Sequence, residues 1–297
     1  MELFTRRGLS LDRLRSFLFV VDAGGLPAAA PGNPVRQSQL GRQIHELEEF
    51  FGTALVKSLG KGKGLGLTPA GKHLAFVVRD ALAGLTEVPS KTPDEVELTI
   101  GAGDSVIQWW IAPHKDAFGG ANVRVSTMSG PEVVDGLLEA VLDLGIIRTT
   151  DLRHGLRSSA LGTIDYAVYV AKDLLPKGRT PSVKNILRSL RLGTLSGEPS
   201  FTAQLETVLE REKVQRTPAW LCETFPGLLA AVKGGWCAAV LPTLARAELP
   251  ARVGEYRDPI LDKLERRMCL AWAPRLQRQR PRVAALIPSI VRGLQRA

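Results

Sequence analysis

The chain has 297 residues, 44% of them hydrophobic and 23% charged, with three cysteines. These values exclude wholesale disorder and a disulfide-stapled secreted scaffold, and the length suits two or three domains. Lys and Arg number 39 against 30 Asp and Glu, a formal charge of +9 that points toward a polyanionic partner such as nucleic acid.

The first predicted helix follows Ser10, with Leu11, Leu14, Phe17, Leu18 and Val21 at helical spacing, and stops at Ala23-Gly24-Gly25. A short piece at 27–30 precedes Pro31-Gly32, which cannot continue a helix. Asn33-Pro34 reads as N-cap and first residue of a third helix with the buried stripe Leu40, Ile44, Leu47 and Phe51, ending at Gly52. Residues 55–67 place apolar ends around Gly60, Gly62, Gly64 and Gly66 and the lysines at 57, 61 and 63, the pattern of a small basic hairpin. Thr68-Pro69 then caps and starts a longer helix with Leu74, Val77, Val78, Ala81, Leu82 and Leu85 on one side. A polar hinge at 89–95 follows.

Beyond the hinge strands alternate with helices. Strands are expected at 97–101, 123–127, 144–147, 166–170, 190–192 and 238–241, and helices at 132–142, 201–212 and 225–234. This alternation implies a mostly parallel α/β sheet. Residues 1–90 carry eleven basic and eight acidic side chains, whereas residues 263–297 carry nine basic ones against Glu265 alone. That terminal cluster reads as a solvated face or as a second contact surface. No apolar run nears the roughly 20 residues of a membrane helix, and the opening Met1-Glu2-Leu3-Phe4-Thr5-Arg6-Arg7 has no apolar core behind it to make a secretory signal. A soluble cytoplasmic protein without a membrane partner is the expectation.

Three short helices, a basic glycine-rich hairpin and a long helix follow the order of a winged helix-turn-helix, whose third helix enters the major groove. Arg36, Gln37, Gln39, Arg42 and Gln43 project opposite the apolar stripe of that helix, and Arg and Gln suit bidentate contacts to base edges. Gln37, Leu40, Arg42-Gln43-Ile44, Glu46-Leu47-Glu48, Phe51-Gly52 and Leu67-Thr68-Pro69-Ala70-Gly71 resemble the DNA-binding half of LysR-type transcriptional regulators. Leu98-Thr99-Ile100-Gly101, Asp143-Leu144-Gly145-Ile146-Ile147-Arg148 and the run from Val232 to Pro242 are similar to segments of that family's second half. The pieces cover essentially the whole chain in the family's order.

The resemblance implies an α/β protein with an N-terminal winged helix-turn-helix at 1–67, a dimerising linker helix at 68–88, the hinge at 89–95 and an effector domain at 96–297. That domain would be two-lobed and periplasmic-binding-protein-like, with lobe I about 96–161 and 267–297 and lobe II about 162–266. It further implies promoter DNA as partner, contacted by Arg36, Gln37, Ser38, Gln39, Arg42, Lys57, Lys61 and Lys63. Leu74, Val77, Val78, Ala81 and Leu85 would build a homodimer or homotetramer, with RNA polymerase as a further partner. A small-molecule effector would sit between the lobes against Asp104, Ser105, Thr127, Ser129, Arg148, Ser200, Phe201, Thr202 and Thr224. Asp104 already occupies a helix start and opposes an anionic ligand there.

The chain departs from the family at Arg36 and Ser38, where Ser or Thr and Pro are usual around the glutamine, at Gly41 and Ser58, and at Pro31-Gly32-Asn33-Pro34. A shifted sequence preference follows, and a ligand- or partner-binding module with a degenerate reader stands as the alternative. Enzyme readings find little: Gly101-Ala102-Gly103 lacks the third glycine of a dinucleotide fingerprint, no Gly-x-Ser-x-Gly elbow occurs, and His45, His73, His114 and His154 have no metal spacing. No cofactor is called for. Cys222, Cys237 and Cys269 read as inert buried thiols.

Overall fold

The computed structural model describes residues 8–58, 65–87, 96–176, 181–196, 199–214 and 218–295. Lys61 and Lys63, Val88 and the hinge lie outside them. The chain divides into two compact units at Pro93/Asp94.

In the first unit α1 (Leu11–Asp22) starts at Ser10, whose hydroxyl accepts the Arg13 N–H at 3.3 Å. A four-residue α2 (Leu26–Ala29) leads to α3 (Pro34–Phe51). Asn33 Oδ1 caps α3 by accepting from Arg36 N at 2.9 Å, and Gly52 ends it at φ 68°, a left-handed conformation that favours glycine. Strands β1 (Val56–Ser58) and β2 (Leu65–Leu67) pair antiparallel, and α4 (Pro69–Thr86) starts at Thr68.

Phe17, Val20, Leu40, Ile44, Leu47, Leu55 and Val78 form the core of this unit. Each such burial contributes about 1.5–3 kcal/mol before the entropy of ordering. An ion pair from Arg79 to Asp22 ties α4 to α1, and Arg13 to Glu46 at 2.6 Å ties α1 to α3. One expectation is corrected: in the last turn of α3 the buried residue is Phe50, not Phe51. Phe50 meets the chain at Gly8, a long-range cover that helical spacing does not reveal. The expected stripe of α4 also divides. Val78 belongs to the unit's own core, whereas Val77, Ala81 and Leu85 are exposed.

The second unit begins with β3 (Glu97–Ala102), α5 (Asp104–Val106) and helical turns that continue to Phe118. Then come β4 (Asn122–Thr127), α6 (Gly130–Leu138), β5 (Leu144–Arg148) and β6 (Arg157–Ile164). They are followed by β7 (Tyr166–Ala171), α7 (Val183–Ser189), β8 (Leu192–Leu195), α8 (Pro199–Arg211), β9 (Trp220–Cys222) and α9 (Phe225–Lys233). The remainder is β10 (Ala238–Pro242), β11 (Val253–Tyr256), β12 (Arg266–Trp272) and the helices α10 (Leu276–Gln279), α11 (Pro281–Ala284) and α12 (Ile287–Gln295).

Two five-stranded sheets result, ordered β4-β3-β5-β12-β6 and β11-β7-β10-β8-β9. In the first, β3 runs parallel to β4 and β5, while β12 inserts antiparallel between β5 and β6. In the second, β8 runs parallel to β9 and β10, and β7 lies antiparallel to β10 and β11. β7 and β10 are buried at every position, so they read as unbroken apolar runs.

Several expected boundaries shift, as at the start of α8, at Pro199 rather than 201. The helix expected at 132–142 ends at Leu138, where the Arg275 guanidinium reaches the carbonyls of Leu137 and Leu138 and Ala140 turns left-handed at φ 59°. Leu190 caps α7, so the strand expected at 190–192 begins at Leu192. β6 runs on to Ile164, past the lobe boundary expected at 161. The basic run at 263–297 is neither one solvated face nor one patch. Arg275 caps α6, Arg266 is buried, and Arg280 pairs at 2.6 Å with the buried Asp143, which also accepts from Thr99 N and Oγ1. Among the described residues no helix is long and apolar enough to cross a membrane.

Candidate DNA-reading surface and inter-lobe cleft

On α3 the polar face is laid out by the burial of Leu40, Ile44 and Leu47 on the other side. Arg36, Ser38, Gln39 and Arg42 are exposed. Arg36 Nη1 donates to Gln39 Oε1 at 3.1 Å, which presets that pair along the helix. Arg42 has 80% of its side chain exposed and only a 3.8 Å approach to Glu46, a surface pair of small worth. Gln37 is placed differently from the expectation of a base reader: its Nε2 donates to the Ala30 carbonyl at 2.8 Å and pins the turn between α2 and α3. The half-buried Gln43 likewise does not stand in the exposed row. Lys57 is exposed on β1.

In the same unit α1, the end of α3 and α4 line an apolar groove of about 440 Å³, with Leu11, Phe51, Leu74, Val77 and Leu85 among its walls. Leu11, Phe51, Val77 and Leu85 present large exposed apolar surface there, more than a lone soluble helix ordinarily shows.

In the second unit the ends of the two sheets face each other across a narrow cavity of about 60 Å³. Ser105, Ser129 and Arg148 line it, with Asp151, Tyr166 and Arg266. Arg148 Nη1 donates to Ser200 Oγ at 2.6 Å, so these two expected site residues do meet. Ser129 N and Oγ donate to Glu132 Oε2 at 2.8 and 2.7 Å, and these bonds hold that carboxyl below its ordinary range. The start of α6 therefore already carries a carboxylate of its own chain. Gly130 is required by a close approach, since a Cβ there would stand 2.2 Å from Asp151 Oδ2.

Several expected effector residues have other places. Phe201 is fully buried in an aromatic cluster, stacked on Tyr166 at 5.0 Å and edge-on to Phe225 at 5.0 Å, so it is core and not cleft lining. Thr202 Oγ1 donates to the Leu195 carbonyl at 2.9 Å, and Thr224 caps α9 by accepting from Gly227 N at 3.2 Å. Thr127 is exposed on the edge strand β4. Asp104 is half-buried in the first turn of α5.

Two residues of this region escaped the sequence reading. The Arg266 guanidinium lies 5.2 Å from the Phe201 ring centre and 5.8 Å from that of Tyr166, a cation–π stack at the cavity wall. Its signal was an arginine at the entry of the wholly apolar run Met268–Trp272. Glu248 accepts from Gln108 Nε2 at 2.7 Å, Trp109 Nε1 at 2.9 Å and Lys233 Nζ at 3.2 Å, and so ties the segment after β3 to the second sheet's lobe. The bond from Gln108 is the largest of the effects that lower its pKa. Nothing in the spacing of the sequence announces this contact. Cys237 and Cys269 are buried as expected, whereas Cys222 is only half-buried; burial raises the pKa of all three thiols, that of Cys237 to about 11.

The first unit has the element order of a winged helix-turn-helix, and the second is a two-lobed α/β module with a cavity between its lobes. The model of the bacterial regulatory helix-turn-helix protein, lysR family, matches residues 11–72, and that of the LysR substrate binding domain matches residues 92–295. The chain belongs to the LysR family. It is 25% identical over 228 residues to the HTH-type transcriptional regulator TfdT of Cupriavidus pinatubonensis (strain JMP 134 / LMG 1197), covering 72% of this chain and 97% of that one. TcbR of Pseudomonas sp. (strain P51) is 25% identical over 250 residues, 80% of this chain and 84% of that protein. Among solved structures, the LysR family regulator CbnR in complex with its target DNA superposes at a TM-score of 0.62, with 20% identity, over 96% of this chain and 100% of that chain.

Proposed function

We propose that this protein binds promoter DNA through α3 and its wing as a homodimer or homotetramer, and that a small effector between the two lobes sets how it engages that DNA. The observation that carries the reading is the exposed row of Arg36, Gln39 and Arg42 over a fully packed stripe, followed in the chain by a hairpin bearing Lys57. In this division residues 1–67 read DNA, 68–88 join copies, 89–95 form the hinge and 96–297 hold the effector. The apolar groove beside α4 supports association of copies, since water-exposed surface of that kind is stabilised by a covering partner. The cavity at Arg148 and Arg266 supports an effector site, and at about 60 Å³ it must open before a small molecule enters. In the cytoplasm such a protein meets RNA polymerase at the promoter it occupies.

Selection of genomic fragments by the purified full-length protein tests the reading. Recovery of a shared, two-fold-related sequence motif is expected. Recovery of random fragments refutes DNA reading and favours a module that binds partners or ligands alone.

A further inference from the structure

The wing ladder has three residue pairs, Val56↔Leu67, Lys57↔Gly66 and Ser58↔Leu65. A two-stranded ribbon of this size is marginal by itself, so its direction is set where it is rooted. At the root, Glu48 Oε1 accepts the N–H of Leu55 at 2.8 Å and of Val56 at 3.2 Å. Glu48 stands near the end of α3, the same helix that carries Arg36, Gln39 and Arg42. The returning strand is fixed to α4. Thr68 N donates to the Leu55 carbonyl at 3.1 Å, Thr68 Oγ1 donates to that of Ala54 at 2.7 Å, and the same oxygen accepts from Gly71 N at 3.0 Å. Gly71 permits this junction, because a Cβ there would lie 1.9 Å from the Leu55 carbonyl oxygen.

We infer that Glu48 is a positioning residue for DNA binding: its carboxylate locks the wing to the reading helix, so that Lys57 and the α3 side chains meet one duplex in a fixed relation. This rests on the DNA-reading function proposed above. A carboxylate shared by two backbone N–H groups makes charge-assisted bonds, stronger than neutral ones.

The test uses the full-length protein, a duplex recovered by the wild type from genomic selection, and a random duplex of equal length. Glu48→Gln and Glu48→Met both remove the charge at similar length, but only Gln keeps an acceptor for the two N–H groups. Affinity is measured against salt concentration. Glu48→Gln is expected within about threefold of wild type with the same log–log slope. Glu48→Met is expected to bind the recovered duplex at least about tenfold more weakly, with the slope flattened by about 0.9 for each phosphate no longer neutralised. Glu48→Asp, which keeps the charge but draws the carboxylate back by one methylene, is expected to flatten the slope likewise and serves if the Met variant does not fold. Equal slopes for Gln and Met, with only the unfolding midpoint changed, overturn the proposal, as does tighter binding by both variants. A wild type that does not discriminate recovered from random duplex overturns DNA reading itself, and the role of Glu48 with it.

Discussion

Replacing Leu85 by Asp separates association of copies from folding of the first unit. Leu85 is 57% exposed and Val77 45%, whereas Val78 on the same helix is 4% exposed. Fully burying an aliphatic side chain contributes about 1.5–3 kcal/mol, so covering the exposed half of Leu85 contributes about 1 to 1.5 kcal/mol. A two-fold interface counts the residue twice, or about 2–3 kcal/mol per dimer. The introduced carboxylates add a desolvation cost of further kcal/mol. The dimer dissociation constant of Leu85→Asp should therefore rise at least about a hundredfold with little change in the melting of the monomer. Val78→Asp should instead unfold the first unit, because it buries a charge in that unit's own core. Sedimentation velocity between nanomolar and tens of micromolar, with thermal melts, reads both effects. A wild type that is monomeric throughout, or a Leu85→Asp protein that associates like wild type, refutes the assignment of this groove.

Gln37→Ala should lower stability by about 1 kcal/mol, since it loses the bond to Ala30, and weaken specific and random duplex together. Arg42→Ala should instead cost about 1–3 kcal/mol on the specific duplex alone, or weaken both if it grips phosphate, as competition binding assays will show. Glu255 accepts from Arg246 Nε at 2.7 Å and Arg257 Nε at 2.8 Å, and Arg246 is the main cause of its lowered pKa. A carboxyl depressed in the fold stabilises above its unfolded pKa, so Glu255→Gln should lower the urea midpoint at pH 7. The difference should shrink as pH falls below about 4.5, the ordinary value, toward the depressed one. Native Cys237 and Cys269 should resist alkylation at pH 8 and react within minutes once urea unfolds the chain, as mass spectrometry of labelled peptides will show.

Much of this architecture was legible because its signals are local. Ser10, Asn33 and Thr68 announced three helix starts by their side chains, and each caps its helix in the structure. The alternation at 97–101 and the unbroken apolar runs at 144–147 and 238–241 marked strands for the same reason. What escaped depends on partners distant in sequence. Phe50 rather than Phe51 is buried because the chain at Gly8 reaches it, and Arg266 is drawn from a basic run into the cavity by strand insertion. Phe201, Thr202 and Thr224 followed from family order, yet the structure gives them to the core, a strand-end carbonyl and a helix cap. Residue type places a Ser or Thr near a helix start but does not say whether it faces a ligand or its own backbone.

The insertion of β12 between β5 and β6 also governs how the protein is made. Residues 166–256 emerge from the ribosome before 266–272, so the lobe begun first is completed last. Until then β5, buried at four of its five positions, offers an open apolar edge where β12 will lie. The later lobe, built from one continuous stretch, can close without waiting. Because two chain crossings join the lobes, at 164–166 and 257–265, a single proteolytic nick at either leaves them tethered through the other. Slow translation or truncation before residue 272 should therefore yield a particle with one finished lobe and one prone to self-association.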